Sequence, residues 1–165
     1  MKNLVVLFAS FLLMTIAIEG LKAQNAVSAT AQAGATIIAP MTIAKNVDLN
    51  FGNIASGSAA GSVVLSTAGV RTATNVTLPS VPGTVSAARF TVTGLAGASY
   101  KISLPTSTTI SNGATSMTIN NFTENANNVL AGGTETFQVG ATLNLAANQA
   151  AGSYTGSFAV TVDYE

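Results

Sequence analysis

The 165-residue chain has no cysteine, no histidine and no tryptophan, and only 7% of its residues are charged. Without Cys and His there is no thiol nucleophile, no imidazole base, no Ser-His-Asp triad and no Cys/His zinc site. Six Lys and Arg balance six Asp and Glu, so no basic face is expected to neutralise phosphates and nucleic acid is not an expected partner. Aromatic residues make up 6% of the chain, whereas 48% is hydrophobic and much of that is alanine. Such a composition predicts a thin core of small and β-branched side chains, of the kind held between two sheets.

What is present begins with a leader. Lys2 precedes an apolar run from Leu4 to Ile18, broken only by Ser10 and Thr15, that ends at Glu19-Gly20. This is the pattern of a secretory signal peptide, and the run falls short of the roughly 18 apolar residues that a membrane-spanning helix requires. Cleavage after Ala23 is expected. The chain then divides into a signal peptide over 1–23, an N-terminal extension or first strand over 24–38, and one domain over 39–165. After cleavage, Lys45, Arg71, Arg89 and Lys101 face Asp48, Glu124, Glu135, Asp163 and Glu165, four cations against five anions and a net charge of −1. An exported chain without cysteine has no disulfide to reinforce it, so sheet pairing and burial must supply its stability. No direct membrane anchor is expected once the signal is removed.

Beyond the leader the dominant period is two. Val47, Leu49 and Phe51 alternate with Asp48 and Asn50, Ala88, Phe90 and Val92 with Arg89 and Thr91, and Tyr100, Ile102 and Leu104 with Lys101 and Ser103. The longest runs come late: Phe137, Val139, Ala141, Leu143 and Leu145, then Tyr154, Phe158, Val160, Val162 and Tyr164. Their polar neighbours are mostly small or Thr, which suits a strand with one solvated face. Gly-containing turn signals separate the runs, among them Ser56-Gly57, Pro82-Gly83, Gly132-Gly133 and Asn112-Gly113, the last a hairpin candidate because both residues tolerate positive φ. No 3.6-residue stripe intervenes. The fold class read from this pattern is all-β, an antiparallel two-sheet sandwich; a β-solenoid would need a fixed repeat length that the sequence lacks.

Two segments carry more than fold. Val27, Ala29, Ala31, Ala33, Ala35 and Ile37 alternate with Ser28, Thr30, Gln32, Gly34 and Thr36. At the other end, in "AGSYTGSFAVTVDYE", Gly152 stands fourteenth from the last residue and Tyr164 is penultimate. Gly152, Tyr154, Phe158, Val160, Val162 and Tyr164 together resemble the C-terminal signature of chaperone-usher pilus subunits, and "GSYTGSFAVTVDY" is similar to the end of their archaic, spore-coat-like branch. The stretches "ATIIAPMTIAKNVDLNFGNIASGSAAGSVVLS", "ARFTVTGLAGASYKISLP" and "FQVGATLNLAANQAAGSYTGSFAVTVDY" resemble a family of exported bacterial, fimbria-like proteins known only as a domain of unknown function.

The resemblance implies a pilin-like, immunoglobulin-like sandwich and an exported protein that passes through the periplasm to the cell surface or a fimbrium. It implies as partners other copies of the chain or related subunits, a periplasmic chaperone that grips the terminal strand, and an outer-membrane assembly pore. Residues 27–37 would then be a donor strand lent to a neighbour, a head-to-tail contact that propagates into a fibre. Four of the six inward positions are Ala, so the burial gained per position is small, about 0.8 kcal/mol per methyl-sized group. The other reading of 27–37 is the ordinary first strand of a self-sufficient sandwich, followed by a kink at Pro40.

Chemical alternatives rest on few residues. Glu124 in "NFTENANNV" and Glu135 after the Gly-Gly turn are the one carboxylate pair with a chance of approach, but solvated loop charges are the simpler reading. Asp48, Asn50 and Asn53 lack the acidic count and closing Glu of a calcium loop. Lys45 and Lys101 lie on polar faces, away from any cross-linking site. Phe122, beside an Asn-rich loop, is the one aromatic that could serve as a sugar platform, but core or rim packing is the simpler reading. The sequence is therefore read as a non-catalytic subunit of a surface fimbria supporting adhesion, without cofactor or metal; the alternative is a self-contained secreted domain that binds glycan or protein.

Overall fold

Alternating apolar and small polar residues favour extended chain over helix, and the computed structural model, which describes residues 26–165, is all-β. The expected signal peptide, residues 1–23, lies outside the described residues. The chain divides into two units, residues 1–36 and 37–165. Within the first, residues 26–36 are exposed and form no strand. The second holds nine antiparallel strands and no helix: β1 (Thr42–Val47), β2 (Gly61–Leu65), β3 (Arg71–Thr74), β4 (Ala88–Thr93), β5 (Tyr100–Ser103), β6 (Ser107–Ser111), β7 (Ser116–Glu124), β8 (Thr134–Leu145) and β9 (Thr161–Tyr164).

Seven strands form one sheet, in the order β1-β4-β8-β2-β3, with β7 also on β8 and β6 on β7; β5 and β9 form a second sheet of two. The long strand β8 organises the first. Its Thr134–Val139 half pairs with β4 and its Ala141–Leu145 half with β2, while β7 pairs with residues 139–144. Its apolar residues Phe137, Val139, Ala141, Leu143 and Leu145 are all buried. Leu143 and Leu145 join Val63, Leu65, Met117 and Ile119 in one cluster. Phe137 and Val139 join Ala88, Phe90, Val92, Tyr100 and Leu130 in another, onto which Ile102, Val162 and Tyr164 of the small sheet pack. The two sheets thus face each other across apolar side chains, as in a sandwich.

The predicted alternation is realised in β4, β5 and β8. It yields less elsewhere. After β1 ends at Val47, the stretch through Phe51 makes a single bridge, Asn50 to Ser86, and the late run Tyr154 to Tyr164 becomes a strand only over β9, with one bridge from Thr155 to Ser111 before it. Alternation makes a chain amphipathic when extended, but a ladder also needs a partner backbone alongside. The Asn112-Gly113 hairpin joins β6 to β7. Gly113 supplies the positive φ of 91°, while Asn112 works through its side chain, whose Oδ1 accepts from the Ala114 and Thr115 N–H groups at 3.1 and 2.9 Å.

Gly140 lies where β8 passes from one partner to the other. A Cβ there would run into the Leu65 carbonyl and lie 2.8 Å from the Ser66 carbonyl carbon, so β8 and the end of β2 can approach this closely only without a side chain. Gly140→Ala is expected to lower unfolding free energy by about 2–4 kcal/mol in urea titrations, with Ala141→Gly as a milder neighbour control.

Candidate functional site

Two largely irregular stretches, residues 47–56 and 149–158, whose sequences alternate only in part, form the walls of a cleft of about 1100 Å³. Its floor is the apolar face of the large sheet: Phe90, Met117, Ile119, Leu143 and Leu145. Among the described residues, no backbone bond joins one wall directly to the other. Asn50 pairs with Ser86 and Ala55 with Thr77 on one side, and Thr155 pairs with Ser111 on the other. At one end the walls are tied together, since Ser56 Oγ donates to the Gln149 carbonyl at 3.1 Å and the Asn148 N–H to the Gly57 carbonyl at 2.8 Å. The chemistry on offer is an apolar floor flanked by chain with few ladder bonds of its own, which suits an extended peptide.

Each wall is held by one polar group, Arg71 from outside the lining and Tyr154 from within it. Arg71 Nη1 donates to the carbonyls of Phe51 and Asn53 at 2.7 and 2.9 Å. Opposite, the Tyr154 hydroxyl donates to the Ala150 carbonyl at 2.8 Å, accepts from Gln149 Nε2 at 2.9 Å and meets Thr115 Oγ1 at 2.6 Å. Sequence reading picked out Tyr154 for its phase but missed Arg71 and Gln149. Their partners lie in other segments, and no local pattern announces them.

Of the six terminal-strand residues, Tyr154 and Phe158 line the cleft, as does Gly152. Val160, Val162 and Tyr164 are instead half-buried against the second cluster, with Tyr164 opposite Tyr100 in the small sheet. Val27, Ala29, Ala31, Ala33 and Ala35 are exposed, as is Ile37 of the second unit; Val27 is 95% and Ile37 96% accessible. Phe122 is half-buried, its ring centroid 4.9 Å from that of Phe158, so it packs rather than offering a sugar platform.

Glu124 is the last residue of β7, not a loop residue. Its Oε2 accepts from the Ala126 N–H at 2.5 Å, and Glu135 Oε1 accepts from the Asn127 N–H at 2.6 Å. Both carboxylates therefore cap the 125–128 turn. Glu135 Oε2 also accepts from the hydroxyl of the fully buried Tyr100 at 2.8 Å. Desolvation first, then the bond to Glu135 and the negative charges of Glu135 and Glu124, push the Tyr100 phenol well above its ordinary range. Asp48 pairs with Lys45, Asn50 Oδ1 accepts from the Gly52 N–H, and Asn53 Nδ2 donates to the Val81 carbonyl. No cluster of three or more metal-binding side chains occurs among the described residues.

A phenol whose pKa is raised by folding stays protonated while the unfolded chain ionises, so its contribution to stability is full below about pH 10 and declines above it. Tyr100→Phe should cost about 1–2 kcal/mol at neutral pH through loss of the bond to Glu135. The gap from wild type should then narrow as chemical unfolding is repeated at rising alkaline pH.

No curated protein and no solved structure matches the chain. A family model, described as Domain of unknown function (DUF4402), matches residues 41–164, which take in all nine strands and both walls of the cleft. The chain is a member of the DUF4402 family.

Proposed function

We propose that the protein is an exported structural subunit of a bacterial surface fimbria, a non-catalytic immunoglobulin-like sandwich of the pilin type. Residues 27–37 of one copy enter the cleft of the next, and repetition of that contact builds the fibre. The observation that supports the reading is the cleft itself, whose apolar floor lies between two walls that share no backbone bond among the described residues. An incoming strand can add ladder bonds to a wall and cover the floor with alternate side chains.

The proposed occupant has the required form, an exposed alternating segment without a strand of its own. Val27 and Ile37 would each gain roughly 1.5–3 kcal/mol on full burial and each alanine methyl much less, so backbone pairing is the larger part of the grip. The segment Gly152–Tyr164 is proposed as the rim held by a periplasmic chaperone before an outer-membrane pore receives the subunit.

The test is a truncation. Intact mature protein should give heat- and denaturant-resistant ladders on gels and filaments by electron microscopy. Protein lacking residues 24–36 should give neither, and a synthetic 24–36 peptide should raise its melting temperature. A truncated form that still polymerises, or an intact form that stays monomeric and binds a glycan array, would replace this reading with a self-contained adhesive domain.

A further inference from the structure

Within the strand-bearing unit, the chain just before β1 is held by a built contact. The Tyr164 hydroxyl donates to the Ala39 carbonyl at 3.2 Å and accepts from the Leu95 N–H at 2.7 Å. One phenol oxygen thus ties together three stretches of chain: the root of the extension, the loop after β4, and β9. Space has been left for it. A Cβ on Gly94 would collide with the hydroxyl and lie 3.1 Å from the ring carbon that bears it. Pro40 restrains Ala39 to extended backbone, and Met41 packs on the second cluster, so the carbonyl is presented from a stiff root.

We infer that Tyr164 is a load-bearing tether: its hydroxyl holds the root of the N-terminal extension to β9 when the extension is pulled, and so shields β1 from being peeled off β4. The geometry places the Ala39–Tyr164 bond in parallel with the β1–β4 ladder. Tension entering through residues 26–38 must stretch the tether before β1 takes the full load, and a bond loaded in parallel raises the barrier to detachment. The proposal rests on the fibre reading only for the reason such tension would arise. The tether itself belongs to a single copy of the chain.

The absence of cysteine allows clean attachment for single-molecule force-clamp measurements. With handles on Ala26→Cys and Glu165→Cys, Tyr164→Phe, which removes both hydroxyl bonds, should unfold about fivefold faster than Tyr164 at the same force, the Ala39 bond that bridges this axis contributing about 1 kcal/mol to the barrier. With handles on the exposed turns, Ala68→Cys and Ala114→Cys, the two proteins should unfold at the same rate. Phe keeps the ring in its packed position, and matching rates on the second axis establish that the fold is intact. Equal rates on the first axis, or an equal acceleration on both, would overturn the tether. Failure to form filaments would remove the fibre reading and leave this measurement standing.

Discussion

The fold depends on burying one face of β8. Five alternating side chains, from Phe137 to Leu145, are buried, and the strand is paired along both edges over much of its length. Burial of this face is the main hydrophobic term available to a chain with few aromatics, and it fixes register, because a slip by one residue would turn Gln138, Thr142 and Asn144 inward. The two core clusters share this strand. Gly140 marks the boundary between them and lets β2 cross close by without breaking the strand.

How far the sequence discloses the structure follows from which forces are local. In β4 and β8 the apolar phase alone assigns the inward face, since both strands have neighbours that convert phase into burial. The stretches 47–56 and 149–158 alternate only in part, at Val47, Leu49 and Phe51 and at Tyr154 and Phe158, and each becomes a cleft wall held by isolated bridges. Nothing in their own residues states where those bridging partners lie. The carboxylates show the same limit. Glu124 and Glu135 read as solvated loop charges, whereas each caps a turn, and Glu135 also receives the phenol of Tyr100, 35 positions away. Arg71 and Gln149 act on carbonyls and hydroxyls set by tertiary structure, which no local spacing encodes.

The DUF4402 domain is sparing with polar groups in its interior. No buried polar or charged residue occurs among the described residues, and no buried side-chain nitrogen or oxygen there lacks a hydrogen-bond partner. The polar atoms that matter sit at the margins: Arg71 behind one cleft wall, Tyr154 within the other, Glu135 over Tyr100, Tyr164 at the root of the extension. Each joins segments distant in sequence. A small core of aliphatic residues gives cohesion but little directional control, and these few bonds supply it.

On the proposed fibre reading, the held walls change what a docking strand must give up. Because Arg71 and Tyr154 hold both sides of the cleft beforehand, the conformational freedom lost on docking belongs mainly to the newcomer. Alanine has no rotamers to freeze, so a segment built on Ala29, Ala31, Ala33 and Ala35 surrenders backbone freedom and little else. What looks like a poor ligand by surface area is therefore also an inexpensive one to immobilise, and small side chains slide along a floor more readily than bulky ones that key into separate hollows. The proposed pairing would favour seating and adjustment over a deep lock at any single position.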